Sequence, residues 1–304
     1  MAQNAGAVAT ATELAIEGFR ARRGRLARTA TLARRQPLGA ISVVLLGALI
    51  LIAVFAPLLS GAHDPFTMTP GQVLQPPSAD HLLGTDDLGR DVLSRIAYGA
   101  RISLWVGFFA VSISLSVGAT AGMISAYTGG AVDFLIQRVV DALFAFPTIV
   151  LALAIVSVLG TGTYQVTIAV GLVGIPRIAR VARASTLGVM AQPYLEASVC
   201  MGAPTHRIIL KHVLPNIMAP MIVLATAGFG IAILAEAGLS FLGVGTPPPA
   251  PSWGTMLSGA AQQYVRTAPY LAIFPGIAIS VTVFAFNMLG DSLRDVLDPR
   301  LRGS

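Results

Sequence analysis

Charge is scarce in this chain. Asp, Glu, Lys and Arg together make up 11% of 304 residues, against roughly 25% in soluble domains. With 55% hydrophobic residues, such a chain cannot be solvated all round. A single cysteine, Cys200, excludes an intrachain disulfide. A single lysine, Lys211, stands between Leu210 and His212. That excludes a nucleotide-binding P-loop, G-x-x-x-x-G-K-[ST], whose lysine must follow glycine and reach the phosphates. Histidines number four. His206 and His212 are six apart and do not share a helix face, and His63 and His81 lie far away in the chain, so no metal-ligand spacing survives. No G-x-S-x-G motif or paired acid–base set stands out. An enzyme is therefore the less favoured class, and no catalytic residue and no metal site is assigned.

What is abundant is long uncharged sequence. Leu38 to Leu59 runs without a charge, enough at about 1.5 Å per residue to cross a hydrocarbon core of about 30 Å. Ile102 to about Ala126 gives a second span. The stretch between Asp141 and Arg177 is too long for one crossing, and Gly160-Thr161-Gly162-Thr163 divides it into spans near 139–159 and 164–182. Val213 to Ala235 and Thr267 to Gly290 complete six. The runs are continuously apolar rather than alternating, which favours helices over a barrel. The fold class expected is all-α: a polytopic bundle of six transmembrane helices. Residues 1–37 form an arginine-rich leader, 38–59 the first span and 60–98 an outer segment. Residues 99–291 form a five-helix core containing a loop at 192–215, and 292–304 a tail. The first run follows a long leader and outlasts a usual signal-peptide core, so it reads as a retained anchor.

Basic residues set the orientation. The leader holds seven arginines, at 20, 22, 23, 25, 28, 34 and 35. Arg138, then Arg177, Arg180, Arg183, Arg207 and Lys211, then Arg294, Arg300 and Arg302 all fall on the leader's side after six crossings. The positive-inside rule puts that side, and both termini, in the cytoplasm. The leader's charge reads as a topology and lipid-headgroup feature, with no nucleic acid implied.

One cytoplasmic stretch is polar and punctuated: YLEASVCMGAPTHRIILKHVLPN, Tyr194 to Asn216. Pro193 suits a first helical turn and Gly202 a stop; Pro204 starts a second helix to about Val213, and Pro215 marks entry into the fifth span. Leu195, Val199, Ile208 and Ile209 can face the bundle, while Glu196, His206 and Arg207 can face water. The pattern alone fits an interfacial hairpin as well as a functional surface. On the outer side, Gly84, Asp86, Gly89, Arg90 and Asp91 in GTDDLGRD read as an Asp/Arg network that orders a loop, in preference to a metal site. Within the spans, Glu236 sits near the outer end of the fifth, close enough to the interface to be wetted. It reads as a hydrogen bond to a neighbouring helix or as a group lining a path. Phe146-Pro147 should kink the third helix, at a pore or through packing alone.

Spacing adds a resemblance. Glu196-Ala197-Ser198, three residues, Gly202, nine residues, then His212-Val213-Leu214-Pro215 resembles the EAA loop of ATP-binding-cassette importer permeases. Ser198 stands in place of the second alanine, and His212 in place of isoleucine. HLLGTDDLGRDVLSRIAYGARISL (81–104), DALFAFPTIVLA (141–152), LSFLGVGTPPPAPSWG (239–254) and LGDSLRDVLDPRLR (289–302) resemble the C-type subunit of the dipeptide, oligopeptide and nickel branch. The resemblance implies a bacterial inner-membrane permease that pairs with a homologous permease. It further implies two ATPase subunits, which carry ATP and magnesium, and an extracytoplasmic solute-binding protein. No cofactor is expected on this chain. Peptide is the implied solute; nickel or another small solute is the alternative within the family, and an ion-coupled secondary transporter the alternative outside it.

Overall fold

The computed structural model describes residues 36–297 apart from Ala62, together with all of their side chains except that of Ala260. The arginine-rich leader before Gln36 and the end of the tail, with Arg300 and Arg302, lie outside the described residues. Among the described residues, regular structure is helical apart from an isolated bridge between Thr85 and Asp91.

Helix α1, Pro37–Val54, starts on a proline whose missing N–H costs nothing in a first turn. It bends at Phe55 into α2, Ala56–Ser60. After a single 3₁₀ turn at Pro70–Gln72, α3 runs from Val92 to Thr128. This helix starts ten residues before the span expected at Ile102. Asp91 caps it, accepting a hydrogen bond from Ser94 N at 2.8 Å. Its first turns carry Arg95 and Arg101, so the helix stands proud of the apolar layer rather than stopping at it.

The third span is where the structure departs most from a simple kink. Helix α4, Gly130–Phe144, and helix α5, Thr148–Leu159, meet at 97°. Pro147 is extended and precedes α5, so the chain breaks at Phe146-Pro147 instead of bending through it. Helix α6, Thr163–Met190, and helix α9, Leu214–Phe241, follow, with the short α7, Pro193–Cys200, and α8, Thr205–Ile208, between them. Helices α10, Trp253–Leu257, and α11, Ala260–Gln263, cover the far side, and α12, Tyr270–Leu297, closes the bundle. Five helical stretches are long and apolar enough to cross a membrane alone, and the bent pair makes six. The pair lies with its two ends toward opposite ends of α6, as one broken span requires. Its start is tied to one end of α6 by Asp133 and Arg183, at 2.6 Å. Its last residue, Leu159, lies only four positions before Thr163 at the other end of α6. Twenty residues of α6 separate those ends, about 30 Å.

Small residues allow close packing of α3 on α6. A Cβ placed on Gly118 would lie 2.9 Å from the Ile175 carbonyl oxygen, and one on Gly122 closer still to that of Ala179. Without a hydrophobic driving force in lipid, such small-xxx-small contacts and interhelical hydrogen bonds hold helices together. Ser114 Oγ donates to the Gly171 carbonyl at 2.6 Å across this same seam. Helix α9 packs on α3, α6 and α12, and α12 holds α1 at the periphery. Much of the apolar surface remains exposed in the isolated chain, as lipid and partner helices require.

Candidate functional site

The polar stretch forms an elbow between α6 and α9. Helix α7 opens on Pro193, as the sequence suggests, and ends at Gly202, whose φ of +77° only glycine adopts freely. Gly202 N donates to the Val199 carbonyl at 2.9 Å, and Ala203 N to that of Ser198 at 3.2 Å, closing the helix end. A Cβ on Gly202 would meet nothing within 4 Å. The second arm does not stop at Val213. Helix α8 passes through one π turn, Ile209–Val213, directly into α9, so Thr205 to Phe241 is one helical rod. Pro215 explains the π turn. It cannot donate to the carbonyl one turn back, and Leu214 N reaches Ile209 instead, five residues away.

The elbow is anchored by burial. Leu195 is 2% exposed and Ile208 1%, packed with Val213 and Ile217 of the rod, Met123 of α3, and Ile178 and Ala182 of α6. Polar ties add to this. Tyr127 Oη donates to Thr205 Oγ1 at 3.2 Å, Asn216 Nδ2 to Tyr194 Oη at 3.2 Å, and Ser198 Oγ to the Tyr194 carbonyl at 2.9 Å. His212 is half-buried beside the Tyr194 ring. Leu214 is half-buried and Pro215 exposed. Val199 does not face the bundle; it is exposed with Tyr194, Ala197, Cys200 and Met201. The outer face of α7 is thus largely apolar, with the exposed Glu196 carboxylate on it, unpaired among the described residues. Such a face, held on a firmly seated support, is a docking surface by composition.

At the opposite end of the bundle the Asp/Arg network is present as expected. Asp86 accepts from Arg90 Nε at 2.7 Å and from the backbone N–H groups of Leu88 and Arg90, each at 2.9 Å. Arg95 Nε lies 3.5 Å from the same carboxylate, and its Nη1 donates to the Pro65 carbonyl at 3.2 Å. Gly89, with φ of +73°, lies so close to the Thr69 backbone that no side chain would fit. Gly84 lies beneath the Tyr270 ring, whose hydroxyl is 3.0 Å from the Thr85 carbonyl. Asp91, besides capping α3, pairs with His81 Nδ1 at 3.0 Å, and His81 Nε2 meets Gln72 Oε1 at 3.1 Å. His81 is therefore a structural member of the loop, a role its sequence position does not announce.

Glu236 is not wetted. It is 1% exposed, with Ser240 Oγ donating at 2.7 Å and Ser103 Oγ at 3.4 Å. The segment after α9 folds back over it: Gly254 packs on Ala237 and Ser240, and Trp253 Nε1 donates to the Ile96 carbonyl at 3.1 Å. Glu236 joins α9 to α3 and does not line an open path in this chain. A cavity of about 240 Å³ does open between α3, α5, α6 and α9, with Ala110, Ser114, Ile149, Gly174 and Ala235 in its wall. Phe146 and Pro147 are outside that wall; their neighbours Phe144 and Thr148 are in it, as is Arg177.

Comparison with known proteins agrees with this architecture. Residues 118–303 match the family model described as binding-protein-dependent transport system inner membrane component. Residues 33–77 match the N-terminal transmembrane domain of oligopeptide transport permease C. The chain is 45% identical over 269 residues to the dipeptide transport system permease protein DppC of Alkalihalophilus pseudofirmus, covering 88% of each. It is 42% identical over 270 residues to the glutathione transport system permease protein GsiD of an Escherichia coli strain, covering 89% of each. A chain from inward-facing structures of the MetNI methionine ABC transporter superposes with a TM-score of 0.52 at 19% identity. That match covers 67% of this chain and 96% of the other, and establishes a shared fold.

Proposed function

Since the chain belongs to the family of binding-protein-dependent transport system inner membrane components, we propose that it forms one half of the membrane pathway of an ATP-driven peptide importer. A homologous permease supplies the other half. Two ATPase subunits dock on the elbow, residues 192–215, and an extracytoplasmic binding protein delivers the solute. ATP and magnesium belong to the ATPases. The assignment of peptide rests on relatives named for dipeptide and glutathione transport.

The observation that carries this reading is the joint itself. A firmly packed corner with an apolar, exposed outer face is continuous with a membrane helix. Closure of docked ATPases would therefore move α9 as a body, the rigid-element motion by which domain rotations are transmitted. Only with the bent pair counted as a crossing do leader, elbow and tail share one side, and their arginines then make that side the cytoplasm of a bacterial inner membrane. Cys200 tests the reading, because it is exposed on the elbow and is the chain's sole cysteine. A membrane-impermeant maleimide should label it in inside-out vesicles and not in right-side-out ones, and co-assembled ATPases should slow the labelling. Labelling from the outer side only, or labelling that ATPases leave unchanged, refutes the assignment.

A further inference from the structure

Three arginines lie one turn apart on α6, and two of them hold an acid from α4. Arg183 grips Asp133 with both Nε and Nη2, at 2.7 and 2.6 Å. Arg180 Nη2 meets Asp141 at 2.6 Å, its guanidinium over the Phe144 ring at 4.2 Å. The third, Arg177, has no acid or hydrogen-bond partner among the described residues. Beyond Asp141 the chain ends α4 at Phe144 and turns at Phe146-Pro147 into α5, which offers no carboxylate: Thr148 to Leu159 is uncharged. Arg177 instead borders the cavity between α3, α5, α6 and α9, where the wall is otherwise apolar apart from Ser114 and Thr148. It lies on α6 14 residues from Thr163, about 21 Å along the axis, with its side chain exposed in the isolated chain. A guanidinium without a counter-ion among the described residues, on a membrane-span helix and bordering an apolar cavity, marks a functional site by default.

We infer that Arg177 is a transient subsite for the C-terminal carboxylate of the transported solute. The inference deepens the peptide reading above and rests on it. A carboxylate is the group a guanidinium binds in planar, bidentate fashion, and every unmodified peptide carries one whatever its side chains. A single cationic station in an apolar passage would thus select a class of solute without reading its sequence. It would also hold loosely enough to release, since only one end is engaged.

The test uses the complete transporter, with its partner permease, ATPases and binding protein, reconstituted in proteoliposomes containing ATP. Uptake of radiolabelled alanyl-alanine is compared with that of its C-terminal amide, each presented on saturating binding protein. Taking the acid-to-amide ratio relative to wild type removes the selectivity of the binding protein. Arg177→Gln should lower that ratio at least tenfold, and Arg177→Lys, which keeps the charge but loses the planar fork, should lower it less. A ratio within twofold of wild type in Arg177→Gln overturns the inference. This holds even if total uptake falls, because Arg177 then meets a carboxylate of the neighbouring permease or a lipid phosphate. Failure of the wild type to import alanyl-alanine at all overturns the peptide reading and this inference together.

Discussion

Gly202 offers a way to separate backbone strain from contact at the elbow. Its φ of +77° is the left-handed region, and an added Cβ would meet nothing within 4 Å. The penalty for a Cβ in the free subunit therefore comes from the backbone. For most L-residues that penalty is about 1–2 kcal/mol, while asparagine tolerates the region better. Gly202→Val should thus weaken the closed corner by about 1–2 kcal/mol, a factor of roughly 5–30 in the equilibrium for local opening. Gly202→Asn should weaken it much less. The corner amides of Gly202 and Ala203, hydrogen-bonded to Val199 and Ser198, report the opening directly. Hydrogen exchange by mass spectrometry on a peptide covering α7 to α8 should accelerate by that factor in Gly202→Val and change little in Gly202→Asn. In the assembled transporter, ATP-driven uptake should fall in the same order. Equal acceleration in the two variants, or none in Gly202→Val, refutes the claim that the corner depends on a left-handed glycine.

Two further outcomes follow from burial. Ile208→Ala removes a side chain that is 1% exposed between the elbow and α6. It should cost about 2–5 kcal/mol of local stability, as core truncations do, seen as protease sensitivity between α6 and α9 with membrane insertion intact; an unchanged cleavage rate contradicts the packing described. Asp86→Ala leaves Arg90 and Arg95, 9% and 6% exposed, without their shared carboxylate. Breaking a buried pair from one side costs roughly 3–5 kcal/mol, so the segment 64–91 should become cleavable from the outer face, and continued resistance there counts against the network.

How much of this was legible in the sequence depended on whether the signal was local. Uncharged runs located the helices because lipid excludes charge, and Pro193, Gly202 and Pro204 marked the elbow because their backbone restrictions are intrinsic. The start of α3 was missed because the helix outruns the apolar run; Asp91 at its cap was the available sign. The break at Phe146-Pro147 was read as a kink because one proline fixes a disruption but not its angle. Val199 was assigned inward because eight residues are too few for a periodicity to decide a face. Glu236 looked wetted from its distance to the span end, and only the chain folding back through Trp253 and Gly254 seals it. Arg177 stood in plain view, yet its lack of a partner depends on helices 30 to 50 residues away.

The unbroken helix from Thr205 to Phe241 has a mechanical corollary. At 1.5 Å per residue it is about 54 Å long, with the elbow at one tip and the Glu236–Ser240 knot against α3 near the other. Pivoted between them, such a lever swings its two tips oppositely: a tilt of about 5° displaces one end by about 5 Å relative to the other over this length. Prising the inner mouth apart would then pinch the outer one in the same stroke, so alternation needs no second signal running through the membrane.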